Sequence, residues 1–331
     1  DTGPVNLTGP VVVSAGVDHD IVLDNQGSLT GGVWIERARD LTLETSGALS
    51  VNGTIARNAT LVSDGALSVG VEAGQNTGLS TGGAMVLTAT GAISLGSVTT
   101  GTTLAVSAGG TGIVGAGGAV RVTGQTALTA TGATVTLTHA ENDFGGDVSV
   151  IAGSVTLHDT NTIAVGGTVA DLMAVDSAEA ATLLDLTTQG LNVTGAGISQ
   201  RSGTTIVSTS GAEFDAKGGA VVLDAANDFG TVAFRDASDA TLRDVNGLIL
   251  GASSLSGALH INAGGPLSQS GALTVGGDVV LNDAVGTPSD IVLGNGANSF
   301  GGAVTIGLGQ NVTLGATGAL HLIDADVRGT L

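Results

Sequence analysis

Short runs of alternating apolar and polar residues recur along the whole chain. Val148–Val150 and Val155–Leu157 each place a Ser or Thr between two aliphatic residues, and Val304–Ile306 and Val312–Leu314 repeat the arrangement. Alternation with a period of two is typical of a β-strand that buries one face. The pattern therefore predicts many short strands, with Val148, Val150, Val155 and Leu157 pointing inward and Ser149 and Thr156 pointing outward.

The runs follow one another at steps of seven or eight residues. After Phe144 they begin at Val148, Val155 and Ile163. The corresponding starts are Val232, Ala240 and Leu248 after Phe229, Val304, Val312 and Leu320 after Phe300, and, in a more divergent copy, Val33, Leu41 and Leu49 after Gly31–Gly32. Internal repeats of this kind indicate a solenoid in which three short strands make one coil.

A turn phrase opens three of these copies: Asn142-Asp143-Phe144, Asn227-Asp228-Phe229 and Asn298-Ser299-Phe300. Asn and Asp side chains bond backbone groups in turns, and a Phe ring can fill the interior of a coil at its corner. The predicted structural turn motif consists of Asn142, Asp143, Phe144, Asn227, Asp228, Phe229, Asn298 and Phe300.

These features predict an all-β fold, a right-handed parallel β-helix that extends over residues 1–331 as a single repeat segment. One coil should take roughly 22–25 residues, which implies roughly 13–15 coils. Asn–Gly pairs at 52–53, 246–247 and 295–296 predict corners with positive φ. A β-propeller would need a longer repeat with its own signature, and a β-sandwich would not repeat one phrase.

One stretch departs from the regular spacing. The apolar runs at Val165 and Ile198 are nearly twice as far apart in the chain as those at Leu250 and Leu267, and the extra residues fall within 168–188. Ala, Leu, Met and Glu in this stretch favour a helix. We therefore expect a short protruding insertion at 168–188, a place where solenoids often carry function.

The composition restricts the possible partners. The formal net charge is −20 and Lys217 is the sole lysine, whereas nucleic acids and anionic membranes require basic patches. The chain has no Cys, which suits export as an unfolded chain, and it has no apolar run long enough for a transmembrane helix. We expect no nucleic-acid partner and no membrane insertion of this segment.

An enzyme on the same fold is the main alternative. Paired carboxylates suit the acid–base chemistry of a glycosidase, and an Asp cluster beside a basic residue suits a calcium-dependent lyase. The candidate groups are Asp18, His19 and Asp20, Asp236 and Asp239, Asp324 and Asp326, and Arg235 and Arg243 near Asp236 and Asp244. Sugar cleavage also uses aromatic platforms, and Trp34 is the only tryptophan. Because the acidic residues are spread along the repeat, we predict no catalytic residues.

Metal sites and cofactors have no clear signature in the chain. The five histidines, His19, His139, His158, His260 and His321, are scattered without the spacing of zinc ligands. The stretch Gly109–Ile113 lacks the Asp of a calcium-binding β-roll repeat. We therefore predict no cofactor and no metal site.

The phrases Ser268–Gly277 and Asn142–Gly146 resemble those of large bacterial filamentous-haemagglutinin-like exoproteins of the two-partner secretion type. The resemblance implies a β-helical segment of a longer secreted adhesin, located outside the cell or on the bacterial surface. It also implies an outer-membrane transporter during export, and attachment to glycans or proteins of host cells or of biofilm matrix. A stalk of a toxin-delivery exoprotein is a second alternative.

Overall fold

A computed structural model describes residues 3–29, 31–71, 78–282 and 287–331. The chain divides into two compact units, Asp1–Ala170 and Asp171–Leu331. Both units consist of short parallel β-strands joined by tight corners, and the described residues contain no helix. Accordingly, no helix in the described ranges is long and apolar enough to cross a membrane.

The described part of the first unit contains nineteen strands. They are β1 (Asn6–Leu7), β2 (Val11–Ser14), β3 (Ile21–Leu29), β4 (Val33–Ala38), β5 (Leu41–Thr45), β6 (Leu49–Ile55), β7 (Ala59–Ser63), β8 (Leu67–Val69), β9 (Leu79–Thr81), β10 (Met85–Ala89), β11 (Ile93–Leu95), β12 (Val98–Thr100), β13 (Leu104–Ala108), β14 (Gly112–Gly115), β15 (Val120–Val122), β16 (Thr126–Leu137), β17 (Asp143–Phe144), β18 (Asp147–Asp159) and β19 (Ile163–Val169).

The described part of the second unit contains eighteen strands. They are β20 (Leu172–Ser177), β21 (Ala181–Thr194), β22 (Ile198–Gln200), β23 (Ile206–Asp215), β24 (Val221–Phe229), β25 (Thr231–Arg235), β26 (Ala240–Asp244), β27 (Leu248–Leu250), β28 (Ser253–Leu255), β29 (Leu259–Ala263), β30 (Leu267–Gln269), β31 (Leu273–Val275), β32 (Val279–Leu281), β33 (Ile291–Leu293), β34 (Ser299–Phe300), β35 (Ala303–Gly309), β36 (Val312–Leu314) and β37 (His321–Val327).

Most strands pair with the equivalent strand one coil later. In the first unit Leu41 stands opposite Ala59, and in the second unit Ala240 stands opposite Leu259. Inward residues therefore stack on inward residues, and the core of each unit is a set of aliphatic ladders. This is the predicted parallel β-solenoid, and it has about 16 turns rather than 13–15. The count is higher because many coils are shorter than expected, as the close spacing of the register partners Leu41 and Ala59 along the chain shows.

The predicted alternation of faces is confirmed. Val148, Val150, Val155 and Leu157 are buried, whereas the intervening Ser149 and Thr156 are exposed. The other predicted starts of inward runs are also buried, with one difference at the end of the third copy. Leu320 is 37% exposed.

The expected protrusion at 168–188 is wrong. Strand β20 and the first half of β21 occupy this stretch, and β20 pairs in parallel with β21, Leu172 opposite Gly190. Met173 and Val175 point inward and are buried, as is Leu183. The stretch alternates apolar and polar residues like the others, and burial of this alternating face outweighs the helix preference of its Ala and Leu residues. The long gap is therefore explained by additional regular strands.

The Asn–Gly corners differ from one another. Gly53 has φ of +133°, and a Cβ on it would lie 1.9 Å from the carbonyl oxygen of Ile35, so only glycine suits this corner. Gly247 and Gly296 do not have positive φ, so the same prediction is wrong for them. An Asn–Gly pair thus indicates a corner without determining its backbone conformation.

Candidate functional site

The second copy of the turn phrase is tied to the following coil by its backbone and its Asp. The N–H of Phe229 donates a 2.7 Å hydrogen bond to Oδ2 of Asp244. The other carboxylate oxygen of Asp244 accepts the N–H of Asn246 at 2.9 Å, and the Asn246 amide in turn donates to Asp228 at 2.9 Å. Phe229 and Asp244 are both buried. The result is a closed corner that joins two coils.

The first copy has the same geometry. Phe144 donates its N–H to Oδ2 of Asp159 at 2.8 Å, and Asp159 accepts the N–H of Asn161 at 2.8 Å. The Asn161 amide donates to Asp143 at 3.1 Å. The Asp and the Asn follow the Phe at the same spacing along the chain in both copies. This shared Asp-x-Asn placement was the signal in the sequence by which the partners could have been found.

The third copy lacks this carboxylate. Ala316 stands where the other copies have Asp159 and Asp244, and Ser299 replaces the Asp of the phrase. The Nδ2 of Asn298 instead donates to the carbonyl oxygen of Gly315 at 3.0 Å. Phe300 is only half-buried, in contrast to Phe144 and Phe229. The expectation of a ring that fills the interior is therefore confirmed for two copies only.

The Asn of the phrase has the same backbone role in all three copies. Its Oδ1 accepts the N–H of an inward residue on the preceding coil: Val120 at 2.8 Å, Ile206 at 2.9 Å and Leu273 at 2.9 Å. These Asn side chains are almost completely buried. A buried N–H without a partner is costly, so each Asn stabilises the corner by satisfying one.

In two copies the side-chain amide of a glutamine forms hydrogen bonds with the side-chain amide of the Asn. Gln200 exchanges two hydrogen bonds with Asn227, at 2.7 and 2.9 Å, and Gln269 does the same with Asn298, at 2.8 and 3.0 Å. Each Gln is the third residue of an Ile-Ser-Gln or Leu-Ser-Gln strand. In the first copy the corresponding strand ends Ile113-Val114-Gly115. The Nδ2 of Asn142 consequently has no partner.

The two buried carboxylates have perturbed acidity. Burial raises the pKa of Asp159, although the N–H groups of Phe144 and Asn161 oppose the shift. Burial likewise raises the pKa of Asp244, against the N–H groups of Phe229 and Asn246. Perturbed carboxyl groups often mark active sites. Here the shift follows from burial at a corner, where both oxygens of each carboxylate accept backbone hydrogen bonds and so have a structural role.

Five further aspartates cap corners of the solenoid, a role that was not among the predictions from the sequence. Oδ1 of Asp239 accepts the N–H of Ala258 at 2.7 Å, and Oδ1 of Asp278 accepts that of Ala303 at 2.8 Å. The same contact joins Asp40 to Asn58, Asp185 to Thr205 and Asp290 to Asn311. In every case the partner directly precedes an inward apolar residue. An Asp placed immediately before an apolar run was the available signal.

The carboxylates considered for catalysis take part in other contacts. Asp20 receives two 2.8 Å hydrogen bonds from Arg39, which lower its pKa, and Asp326 pairs with Arg328 at 2.8 Å. Asp239 is a corner cap, and Arg235 pairs with Glu213. Asp244 belongs to the corner of the second turn phrase. Ion pairs and corner contacts thus explain five of the ten candidate groups.

Metal-binding groups do not converge in the described ranges: they contain no cluster of three or more His, Asp or Glu side chains suited to a metal ion.

A shallow groove lies on the outer surface of the first unit beside Trp34. Its volume is about 320 Å³. The half-buried indole of Trp34 lines it together with the hydroxyl groups of Thr54, Ser80 and Thr99. Trp34 is the residue considered above as an aromatic platform for sugar. The register of the strands brings these three hydroxyl residues beside one another and near the ring.

A family model described as repeats of unknown function (DUF5649) matches residues 82–151, 170–234 and 237–307, more than half of the chain. The chain belongs to this family. No match to the chain was found among curated proteins or among solved structures.

The family repeats coincide with the turn phrases. Each matched segment contains one phrase close to its end: Phe144, Phe229 and Phe300 lie shortly before residues 151, 234 and 307. One DUF5649 repeat therefore comprises several coils and a single Asn-x-Phe corner. The hydrogen bond that the Asn of the phrase accepts from the preceding coil lies within each matched segment, whereas Asp159 and Asp244 lie beyond the segments that contain Phe144 and Phe229.

Proposed function

We propose that the chain is a non-enzymatic structural and adhesive β-solenoid segment of a secreted bacterial cell-surface protein. It binds glycans or proteins of host cells or of biofilm matrix, or supports a neighbouring region that does so. The observation that favours this role is the turn phrase. The Asn that recurs in all three copies, such as Asn227, holds coils together through a buried corner.

The composition supports a location outside the cell. A chain without Cys can pass a narrow transporter unfolded, with no disulfide to block it. Its coils are held by local hydrogen bonds and aliphatic ladders, so they can form one after another as the chain emerges. We propose an outer-membrane transporter as its partner during export.

Binding of the purified chain to surfaces tests the adhesive role. The chain carries a fluorescent label at its N-terminus and is applied to cultured epithelial cells and to plates coated with biofilm matrix. We expect saturable binding that an excess of unlabelled chain displaces. A folded acidic protein of similar charge is the control for unspecific adsorption. Binding no greater than that of the control would contradict an adhesive function of this segment.

Turnover assays test the non-enzymatic role. The chain is incubated with neutral and acidic polysaccharides, with and without Ca²⁺, and reducing ends and unsaturated products are measured. We expect no product above the background. Product that disappears in the Asp236→Asn, Asp239→Asn double variant would favour the alternative of a carbohydrate-active enzyme.

A further inference from the structure

We propose that the groove beside Trp34 is a binding site for a neutral sugar unit. This proposal rests on the proposed adhesive function and assigns it a place and a ligand class. It follows from the chemistry of the groove, the strand register that builds it and the charge around it.

The groove combines an apolar ring with hydroxyl groups. A sugar ring has apolar C–H faces and hydroxyl edges, and small-ligand sites typically pair an aromatic surface with a few polar groups. Trp34 is partly exposed in the groove, so its indole is accessible for stacking. Thr54 and Thr99 are exposed and lie with Ser80 along the same groove. Each hydroxyl can both donate and accept a hydrogen bond, as a sugar hydroxyl requires.

The hydroxyl groups form a ladder across three coils. Thr54 on β6 stands opposite Ser80 on β9, and Ser80 stands opposite Thr99 on β12. The Oγ of Ser80 lies 3.5 Å from Oγ1 of Thr54. Neighbouring strands are roughly 4.8 Å apart, which is close enough for hydroxyl groups on two adjacent strands to contact one small ring-shaped ligand. The solenoid register therefore pre-organises the polar groups.

Two glycines keep the groove open. Gly53 and Gly78 line it with backbone alone. A Cβ on Gly78 would lie 2.2 Å from the carbonyl oxygen of Ser97, and a Cβ on Gly53 would collide with Ile35. Larger residues are therefore excluded at both positions by the stacked backbone, and the space beside Trp34 remains available.

The charge distribution selects a neutral ligand. None of the described residues that line the groove is ionisable. The ladder continues from Thr99 to Arg121, whose guanidinium pairs with Glu141. With a net charge of −20, the chain as a whole repels anionic glycans and nucleotides. A neutral hexose or N-acetylhexosamine unit fits these conditions.

The single tryptophan allows a direct test. The full chain is titrated with methyl glycosides and short oligosaccharides of glucose, galactose, mannose and N-acetylglucosamine, and Trp34 emission is recorded. We expect at least one sugar to shift the emission saturably. Calorimetry with that sugar should give an affinity that falls about tenfold or more in Trp34→Ala, and about tenfold in Ser80→Ala, for the loss of roughly one hydrogen bond.

Thr156→Ala is the matched control, because Thr156 is likewise an exposed threonine of the first unit but lies outside the groove. Its affinity should equal that of the wild type. Trp34→Phe, which keeps a ring, replaces Trp34→Ala if the latter does not fold. The proposal is overturned if no sugar of the panel shifts the emission, or if affinity is unchanged in the Trp34 and Ser80 variants.

The surface assay separates this proposal from the adhesive function itself. If the wild type and Ser80→Ala bind the surfaces equally and neither binds a sugar of the panel, the groove is not a sugar site. The segment is then adhesive through another surface. Absence of surface binding together with sugar binding at Trp34 would contradict the adhesive function and retain the groove.

Discussion

The N–H of Phe229 and the carboxylate of Asp244 form a 2.7 Å hydrogen bond that joins one coil to the next at a buried corner. The bond fixes the place where the ring enters the interior, and the ring then packs against Phe214, with centroids 6.1 Å apart in an edge-to-face arrangement. Phe234 stacks on Phe214 in turn, with centroids 6.2 Å apart. The polar corner and the aromatic cluster are therefore parts of one structural unit.

Truncation of the Phe229 ring should destabilise the second unit strongly. Phe229→Ala removes a fully buried ring from the aromatic cluster and should lower the free energy of unfolding by about 3–5 kcal/mol. Urea unfolding followed by circular dichroism measures the change. Phe300→Ala, at the half-buried position of the third copy, is the matched control and should cost clearly less. Equal losses in the two variants would show that burial of the ring is not what stabilises this corner.

The Nδ2 group of Asn142 lacks a hydrogen-bond partner, and a single substitution can supply one. Gly115→Gln places a glutamine where Gln200 and Gln269 stand in the other copies, and an added Cβ at Gly115 meets nothing closer than 3.5 Å. Two new hydrogen bonds to Asn142 should raise the free energy of unfolding by about 1 kcal/mol or more, because a buried donor gains a partner.

Gly115→Ala separates this effect from the general gain of replacing a glycine. Only the difference between the Gln and Ala variants reports on the amide pair. In the reverse direction, Gln200→Ala should destabilise the second copy. If Gly115→Gln is no more stable than Gly115→Ala in thermal and urea unfolding, the pairing does not form.

The buried aspartates should make stability depend on pH with an unusual sign. The pKa values of Asp159 and Asp244 are raised in the folded chain above the ordinary 3.8. The folded state therefore binds their protons more tightly than the unfolded state. Their contribution is most favourable below pH 3.8 and falls as the pH rises through the raised folded values.

The comparison is between the wild type and the double variant Asp159→Asn, Asp244→Asn. The difference in free energy of unfolding, wild type minus variant, should decrease from about pH 3 towards roughly pH 7, where native carboxyl groups are normally ionised. Asp20→Asn is the control with the opposite sign. The hydrogen bonds from Arg39 lower the pKa of Asp20, so its small contribution is present above pH 3.8 and lost below it. A pH-independent difference for the double variant would contradict the predicted shift.

Removal of a corner cap should weaken the stacking of neighbouring coils. Asp239→Ala leaves the N–H of Ala258 without its 2.7 Å acceptor. The loss should cost about 1–2 kcal/mol, because a backbone donor loses its partner. Amide hydrogen exchange of Ala258 should accelerate in the same variant. Asp224→Ala is the matched control, because the Asp224 side chain is exposed on β24. Loss of stability in both variants alike would attribute the effect to charge rather than to the cap.

Much of the fold follows from local sequence patterns. The inward position of Val148 and Val155 could be predicted because strand side chains alternate with a period of two, and a slip by one residue would expose the whole aliphatic face. The parallel solenoid followed from the regular steps between such runs. The same alternation extends through 168–188, where Met173 and Val175 are buried like the others, and burial of this face outweighs the helix propensity of the stretch.

Contacts between coils could not be predicted in the same way. The partners of Asn142 and Asn227 lie on other coils, and only the register of the stacked strands brings Gln200 to one Asn and Gly115 opposite the other. For the same reason the structure alone distinguishes the caps, such as Asp239, from surface carboxylates, and aligns Ser80 with its neighbouring hydroxyl groups near Trp34. The sequence by itself determined which residues point inward, because alternation is a local property. The tertiary structure decided which side chains meet, because coil length varies from one turn to the next and sets every contact between them.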